Sequence, residues 1–184
     1  MNSRVFNLFQ RRAFSSLYNY SNPANPKVFM TIARGEQKLG DLVFEVYADR
    51  HPATAESFMA LCHGETADGR SYVGTNFHHG LSEFGISGGK FGEENLGADG
   101  VRMPDENPDM RHHKRGQLSV VSSGLNALGS EFTVTFGEAP TLNGYNAVLG
   151  ELVEGESVLS QLEAGVNRLG DVTEDFTIVA AGEK

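Results

Sequence analysis

Apolar and polar residues alternate along much of this chain with the two-residue period of a pleated strand, whose successive side chains face opposite sides. In Lys27–Arg34, the residues Val28, Met30 and Ile32 fall on one face. Leu42–Tyr47 alternates again, and Leu39-Gly40-Asp41 supplies turn chemistry between the two. Gln117–Ser122, Phe132–Phe136, Ala147–Val153 and Phe176–Ala181 read as further strands. Two segments take helical spacing instead. Pro52 suits a first helical turn, where its missing donor costs nothing; Phe58 and Leu61 then share a face, and Gly64 ends the helix. Ser157–Ala164 is a second short helix with Ser157 as its N-cap. Leu142-Asn143-Gly144 reads as a tight turn, because Asn-Gly tolerates positive φ. Gly92–Arg115 is polar, aperiodic and interrupted by Pro104 and Pro108. Strands dominate and no internal repeat is present. The pattern predicts one mainly β antiparallel domain, a barrel closed to remove its edges, with helices at its ends.

Composition adds limits. An apolar content of 39% with 22 glycines and six prolines is that of a turn-rich globular chain. No run approaches the roughly 18 apolar residues of a membrane span, so no transmembrane segment is expected. The single cysteine, Cys62, excludes an internal disulfide and fits a reducing compartment. Beside Leu61 in the first helix, it reads as a small buried hydrophobe rather than a nucleophile.

The net charge of −9 is unevenly spread. Residues 1–35 contain Arg4, Arg11, Arg12, Lys27 and Arg34 and no acid, a balance of +5, so the remainder holds −14. On a helical wheel Val5, Phe6, Phe9 and Ala13 cluster opposite Arg4 and Arg11. An amphipathic, Arg- and Ser-containing, acid-free start has the composition of a mitochondrial presequence, and Arg12-Ala13-Phe14-Ser15 suits cleavage after Ser15. An ordinary terminus or a partner-binding amphipathic helix is the alternative. Ser21-Asn22-Pro23-Ala24-Asn25-Pro26 reads as a linker, so residues 1–26 are leader and linker and 27–184 the domain. The acidic body argues against nucleic acid as a partner.

Several polar clusters invite a chemical reading. His78-His79 and His112-His113 suggest a metal, but neighbours on a strand point to opposite faces and no spaced Cys or carboxylate accompanies them, so no metal is expected. Arg111-His112-His113-Lys114-Arg115 reads as a solvated basic loop, with docking to an acidic partner as the lesser alternative. The acids around Asp99-Gly100 lack calcium-loop spacing, and no P-loop or dinucleotide fingerprint is present, so no cofactor is expected.

The segment from Phe77 to Phe91 resembles the active-site strands of the cyclophilins, the prolyl-isomerase family, which spell it F-H-R, five residues, then F-M-x-Q-G-G-x-F. Phe77, His78, Phe84, Gly88, Gly89 and Phe91 fall in register. Further matches follow in order: Ala53-Thr54-Ala55-Glu56-Ser57-Phe58, Asp105-Glu106-Asn107, Gly116-Gln117-Leu118-Ser119, Gly129-Ser130-Glu131-Phe132, Leu142-Asn143-Gly144 and Leu149-Gly150-Glu151. The resemblance spans about Lys27 to Gly182 and implies an eight-stranded antiparallel barrel capped by two helices. It also implies where a proline-containing peptide would bind. Phe84 and Leu142 keep their pocket roles. Gly85 stands for the family's methionine and Thr133 for its pocket-floor phenylalanine. Ser87 replaces a glutamine, and Val121 and Ser122 end a triplet whose last member is otherwise asparagine. Thr141 takes the place of a tryptophan and Asn146 that of a rim histidine. The catalytic arginine has become His79.

That exchange bears on activity. Rotating an X–Pro bond crosses a barrier of about 20 kcal/mol, because amide resonance is lost at the twisted state. The family lowers it by aiming a fixed guanidinium at the prolyl nitrogen, whose lone pair emerges only on twisting. His79 is shorter and mostly uncharged near neutral pH. Loss of one well-placed donor typically costs ~3–4 kcal/mol, or ~10²–10³ in rate. The expected reading is an eroded isomerase serving as an accessory subunit of a mitochondrial multiprotein assembly, in or facing the matrix. A weak but working isomerase assisting protein folding is the second reading, and a passive proline-peptide binder the third.

Overall fold

A computed structural model describes residues 18–184. The proposed leader and its cleavage position therefore lie outside the described residues. The chain runs β1 (Lys27–Arg34), β2 (Gln37–Val46), α1 (Pro52–His63), β3 (His79–Leu81), β4 (Gly85–Gly88), β5 (Gln117–Ser122), β6 (Leu128–Thr135), β7 (Ala147–Glu154), α2 (Glu156–Ala164) and β8 (Phe176–Glu183). Among these described residues no helix is long and apolar enough to cross a membrane.

All eight strands pair antiparallel in one curled sheet of order β3-β4-β6-β5-β7-β2-β1-β8. The expected closure of the barrel does not occur: β3 and β8 are edges. β3, three residues long, is too short to span the gap as a ladder. Irregular backbone bonds lace the seam instead. Gly74 N donates to Ile178 O (2.7 Å), Ile178 N to Thr75 O (3.0 Å), and Phe77 N to Phe176 O (3.0 Å). On the other side Gly80 N reaches Gly170 O (3.2 Å) and Ser82 N reaches Asn167 O (3.0 Å). The edges are thereby covered without being joined.

Alternation sorts the side chains as expected. Val28, Met30, Ile32, Phe44, Ile86, Leu118, Phe132, Val134, Leu149 and Ile178 are all fully buried inside the curl. Helix α1 closes one end with Phe58 and Leu61, and Phe58 meets Tyr72 and Phe132 at ring separations of 5.1 and 5.7 Å. Its N-terminus is capped from a distant loop: Glu106 accepts from Ala53 N, Thr54 N and Thr54 Oγ1 at 3.0, 3.0 and 2.8 Å. A carboxylate there also faces the positive end of the helix dipole. Gly64 ends α1 in the left-handed conformation, as expected. Cys62 is buried, and burial pushes its thiol far above the ordinary range.

Three local expectations need correction. Leu39-Gly40-Asp41 is not a turn; all three lie in β2, where a register shift opposite Ile32 and Ala33 accommodates Gly40, and the chain turns at Gly35-Glu36. Helix α2 begins at Glu156 with Gly155 as its N-cap, so Ser157 lies inside the first turn. Leu142-Asn143-Gly144, by contrast, does form the expected tight turn directly after the 3-10 turn Pro140–Leu142: Tyr145 N donates to Leu142 O (3.1 Å), and Gly144 sits at φ 78°. Finally, β6 starts four residues earlier than Phe132, at Leu128, with Ser122 paired to Leu128 across a bulge.

A smaller cluster lies on the outer side of the sheet. Tyr47, Met110 and Val148 pack together under Tyr20, whose ring meets Tyr47 edge-on at 6.0 Å. Residues 18–26 thus lie against the body. The nearly buried Glu45 of β2 accepts from Ser21 Oγ (2.7 Å), Asn22 N (2.7 Å) and Asn25 Nδ2 (3.0 Å).

Candidate functional site

Strand pairing brings the sequence-predicted site residues into a row. His79 of β3 is the partner of Ser87 on β4, Ser87 of Thr133 on β6, and Thr133 of Ser119 on β5. Directly paired residues share a face. Their neighbours Ile86, Phe132, Val134, Leu118 and Val120 fill the core, so this row lies on the outer face.

The middle of the row is self-satisfied. Ser87 Oγ and Thr133 Oγ1 are 2.8 Å apart, and both residues are buried. Each hydroxyl therefore already has its partner, as buried polar groups require. Gly85, two residues before Ser87 on the same strand, is a tight contact rather than an open hollow. A Cβ there would lie 2.8 Å from Val134 O and 2.9 Å from Thr133 Cγ2. Enlarging this residue would therefore force backbone to move.

At the row's open end His79 is exposed. Its imidazole leans on the loop after α2: a Cβ on Gly170 would be 2.7 Å from His79 Cε1 and 3.3 Å from Nδ1. Gly170 also sits at φ 101°, a conformation that L side chains rarely adopt. His78 does not point to the opposite face as strand alternation would have it. It precedes β3, and its amide donates to the same Ser87 carbonyl residue that stands opposite His79, so two residues face one in the manner of a bulge. Its Nε2 lies 2.9 Å from Glu131 Oε1. That hydrogen bond is the main reason the Glu131 carboxyl is held below its ordinary range, with Lys90 and His79 adding to the pull.

At the buried end Ser119 Oγ meets His112 Nε2 at 2.8 Å. Asn143 Oδ1, an acceptor, takes both the His112 backbone N–H (2.8 Å) and Nδ1 (3.0 Å). The proton therefore resides on Nδ1, and Nε2 accepts from Ser119. Burial holds this imidazole neutral by lowering its pKa. His112 thus clips the segment bearing Thr141, Leu142 and Asn146 to the sheet. The basic run Arg111–Arg115 is correspondingly not a solvated loop. His112 is buried, Lys114 pairs with Glu151, and Arg115 reaches Glu156 Oε1 (2.6 Å), Glu163 Oε2 (2.5 Å) and Phe136 O (3.0 Å).

The remaining predicted residues form the rim. Phe84 is half-buried, and its carbonyl accepts from Phe136 N at 2.9 Å. Leu142 is half-buried at the end of the 3-10 turn, and Thr141 is exposed. Asn146 Oδ1 accepts from Ser122 N at 3.4 Å, which brings those two together. The Ser122 hydroxyl, however, turns back to its own loop at Gly124. Val121 is half-buried, and its carbonyl accepts from Asn95 Nδ2 at 2.9 Å. Asn95 also accepts from Glu131 N (2.9 Å), so it bridges β5 and β6 at the edge of the site.

Sequence reasoning missed Asn95, Glu131, Asn143 and Gly170 as shapers of this face. Only the aperiodic stretch Gly92–Arg115 signalled that long-range contacts were to be found there. Among the described residues, no three of His, Cys, Asp and Glu converge as metal ligands would. Among the described residues no fixed guanidinium stands in the row: Arg168 on the adjoining loop pairs with Glu83 at 3.1 Å and is largely exposed. The outer face therefore offers an exposed imidazole at His79, a closed pair of hydroxyls and a clipped rim, all on an antiparallel curl with two capping helices. Residues 29–183 match the family model described as cyclophilin type peptidyl-prolyl cis-trans isomerase, and the chain belongs to the cyclophilin family.

Proposed function

We propose that this protein is a cyclophilin that does not isomerise prolyl bonds at a useful rate and acts through its protein contacts, as an accessory subunit of a mitochondrial assembly. One observation supports the loss of catalysis above the others. Among the described residues, the row His79–Ser87–Thr133 contains no permanently charged donor for a pyramidalising prolyl nitrogen. An imidazole leaning on Gly170 stands there in place of a guanidinium fork, and the two hydroxyls beside it are bonded to each other. Stabilisation available only in the twisted state is what raises turnover, and these groups offer little of it.

The mitochondrial part of the reading is supported by the acid-free, Arg- and Ser-containing residues 1–17. Family membership alone favours a slow isomerase that still holds proline-containing peptides, and this is the competing outcome. A coupled prolyl-peptide assay on the purified chain separates the two. The expected rate equals the uncatalysed background. A rate abolished by His79→Ala would overturn the proposal. His79→Arg alone is expected not to restore family-level activity, because Gly85 lacks room for a pocket wall and Thr133 is tied to Ser87. For the accessory role, the endogenous protein is expected to co-migrate with a large mitochondrial complex on native gels. A free monomeric pool would count against it.

A further inference from the structure

We propose that the segment 18–26 is a brace for the rim of the groove, with Tyr20 as its positioning residue. The brace is fastened at two ends. At the first, Glu45 takes three hydrogen bonds from Ser21, Asn22 and Asn25, while Asn22 Nδ2 bonds Asp49 (3.1 Å) and Pro26 O accepts from Val46 N (2.9 Å). At the second, Tyr20 covers the Tyr47 ring and sits 5.6 Å from the Arg50 guanidinium. The Tyr20 hydroxyl accepts from Arg111 N at 3.1 Å. The rings of Tyr18 and Tyr20 flank His113 at 5.2 and 5.7 Å.

Arg111 and His113 are the two neighbours of His112, and His112 holds the rim. Its backbone N–H and ring bond Asn143, and its carbonyl accepts from Ala139 N (3.0 Å). Residues 139 and 143 enclose the 3-10 turn that bears Thr141 and Leu142, and Asn146 N closes onto Leu142 O at 3.0 Å. Contacts therefore run without a break from Tyr20 to Arg111–His113, to Asn143, and to the rim residues. Gln117 supports the same segment independently: Oε1 accepts from His113 N (2.7 Å) and Lys114 N (3.0 Å), and Nε2 donates to Arg111 O (3.1 Å). Among the described residues, Tyr20 alone holds the Arg111 amide. Displacing the brace loosens the rim without unfolding the barrel.

Hydrogen exchange on the full chain tests this, with Tyr20→Ala, Tyr20→Phe and Glu45→Gln compared to the parent. Tyr20→Ala is expected to speed exchange at the amides of Arg111, His112, Asn143 and Asn146 by about fivefold or more, the effect of losing one net hydrogen bond. Amides of β1 and β8 are expected to keep their parent rates. Tyr20→Phe keeps the ring but removes the acceptor, so Arg111 and the rim should quicken less while residues 45–49 stay protected. Glu45→Gln frees the far end of the brace and should quicken Asn22 and Asn25 first, then the rim. Exchange that changes only at residues 18–26 and 45–49, or equally across the whole barrel, overturns the proposal. If Tyr20→Ala does not fold, an unchanged Arg111 amide and rim in Tyr20→Phe overturns it just as firmly.

Discussion

The inner and outer faces of strands β3, β4, β5 and β6 have met opposite fates. Inward, Ile86, Leu118, Val120, Phe132 and Val134 are almost wholly buried and pack as an ordinary apolar core. Outward, the alternate positions hold His79, Ser87, Ser119 and Thr133; Ser87 and Thr133 satisfy each other, and Ser119 is satisfied by His112. A strand's period of two makes this separation possible, since exchanging residues on one face leaves the other untouched. The lesson is that this fold can be kept intact while its site is rebuilt, and fold alone says nothing about whether the chemistry survives.

The difference between the faces can be broken or sharpened by measurement, beginning with the largest effect. Phe132→Ala empties the inner face where Phe58, Tyr72 and Phe77 meet one ring. A loss of about 3–5 kcal/mol is expected in denaturant melts, and a loss below about 1 kcal/mol would mean the inner face is not the packed core described here. Next comes Glu45, on the outer face of β2 but buried beneath the brace. Desolvation pushes its carboxyl up, yet hydrogen bonds from Ser21, Asn22 and Asn25, with Lys27 nearby, more than offset this and leave it below the ordinary range. The depressed pKa means its contribution is fully present above the unfolded value near pH ~4 and is lost as pH falls through the folded value. Melting temperature should therefore drop as pH is lowered through that window, and Glu45→Gln should flatten the drop at a cost of about 1–3 kcal/mol at neutral pH. An unchanged acid slope in the variant would show that other carboxylates set it.

The smallest effect belongs to the site row itself. Ser87→Ala leaves the buried Thr133 hydroxyl without its partner and should cost about 1 kcal/mol or slightly more. Adding Thr133→Val removes the orphaned group and should return much of that loss, because replacing both partners by apolar shapes is nearly neutral. If the two changes simply add, the hydroxyl pair is not the closed unit that the 2.8 Å separation describes.

Legibility from sequence followed how local each determinant is. Val28, Met30 and Ile32, the span of β5, and the start of α1 at Pro52 with its end at Gly64 were all readable, because period and helix-end chemistry act within a few residues. The turn misplaced at Leu39-Gly40-Asp41 has a comparable explanation. Gly40 carries turn chemistry, but its place opposite a register shift in β1 depends on the partner strand. His79 was visible as a changed position, yet its lean onto Gly170 was not, since that loop lies far along the chain. Gly85 was visible as a glycine in place of the family's methionine, but the crowding a Cβ would meet there from Val134 O and Thr133 Cγ2 was not. His112 looked like part of a solvated basic run until Ser119 and Asn143 were seen to enclose it.

Alternation, glycine placement and the motif order by themselves determined that this is a strand-dominated cyclophilin chain. Only the tertiary structure decided that the barrel stays open at a laced seam, that Ser87 and Thr133 close on each other, and that residues 18–26 fold onto the body. Period and end signals are written in adjacent residues, whereas strand register and the partners of buried polar groups exist only once distant segments have come together.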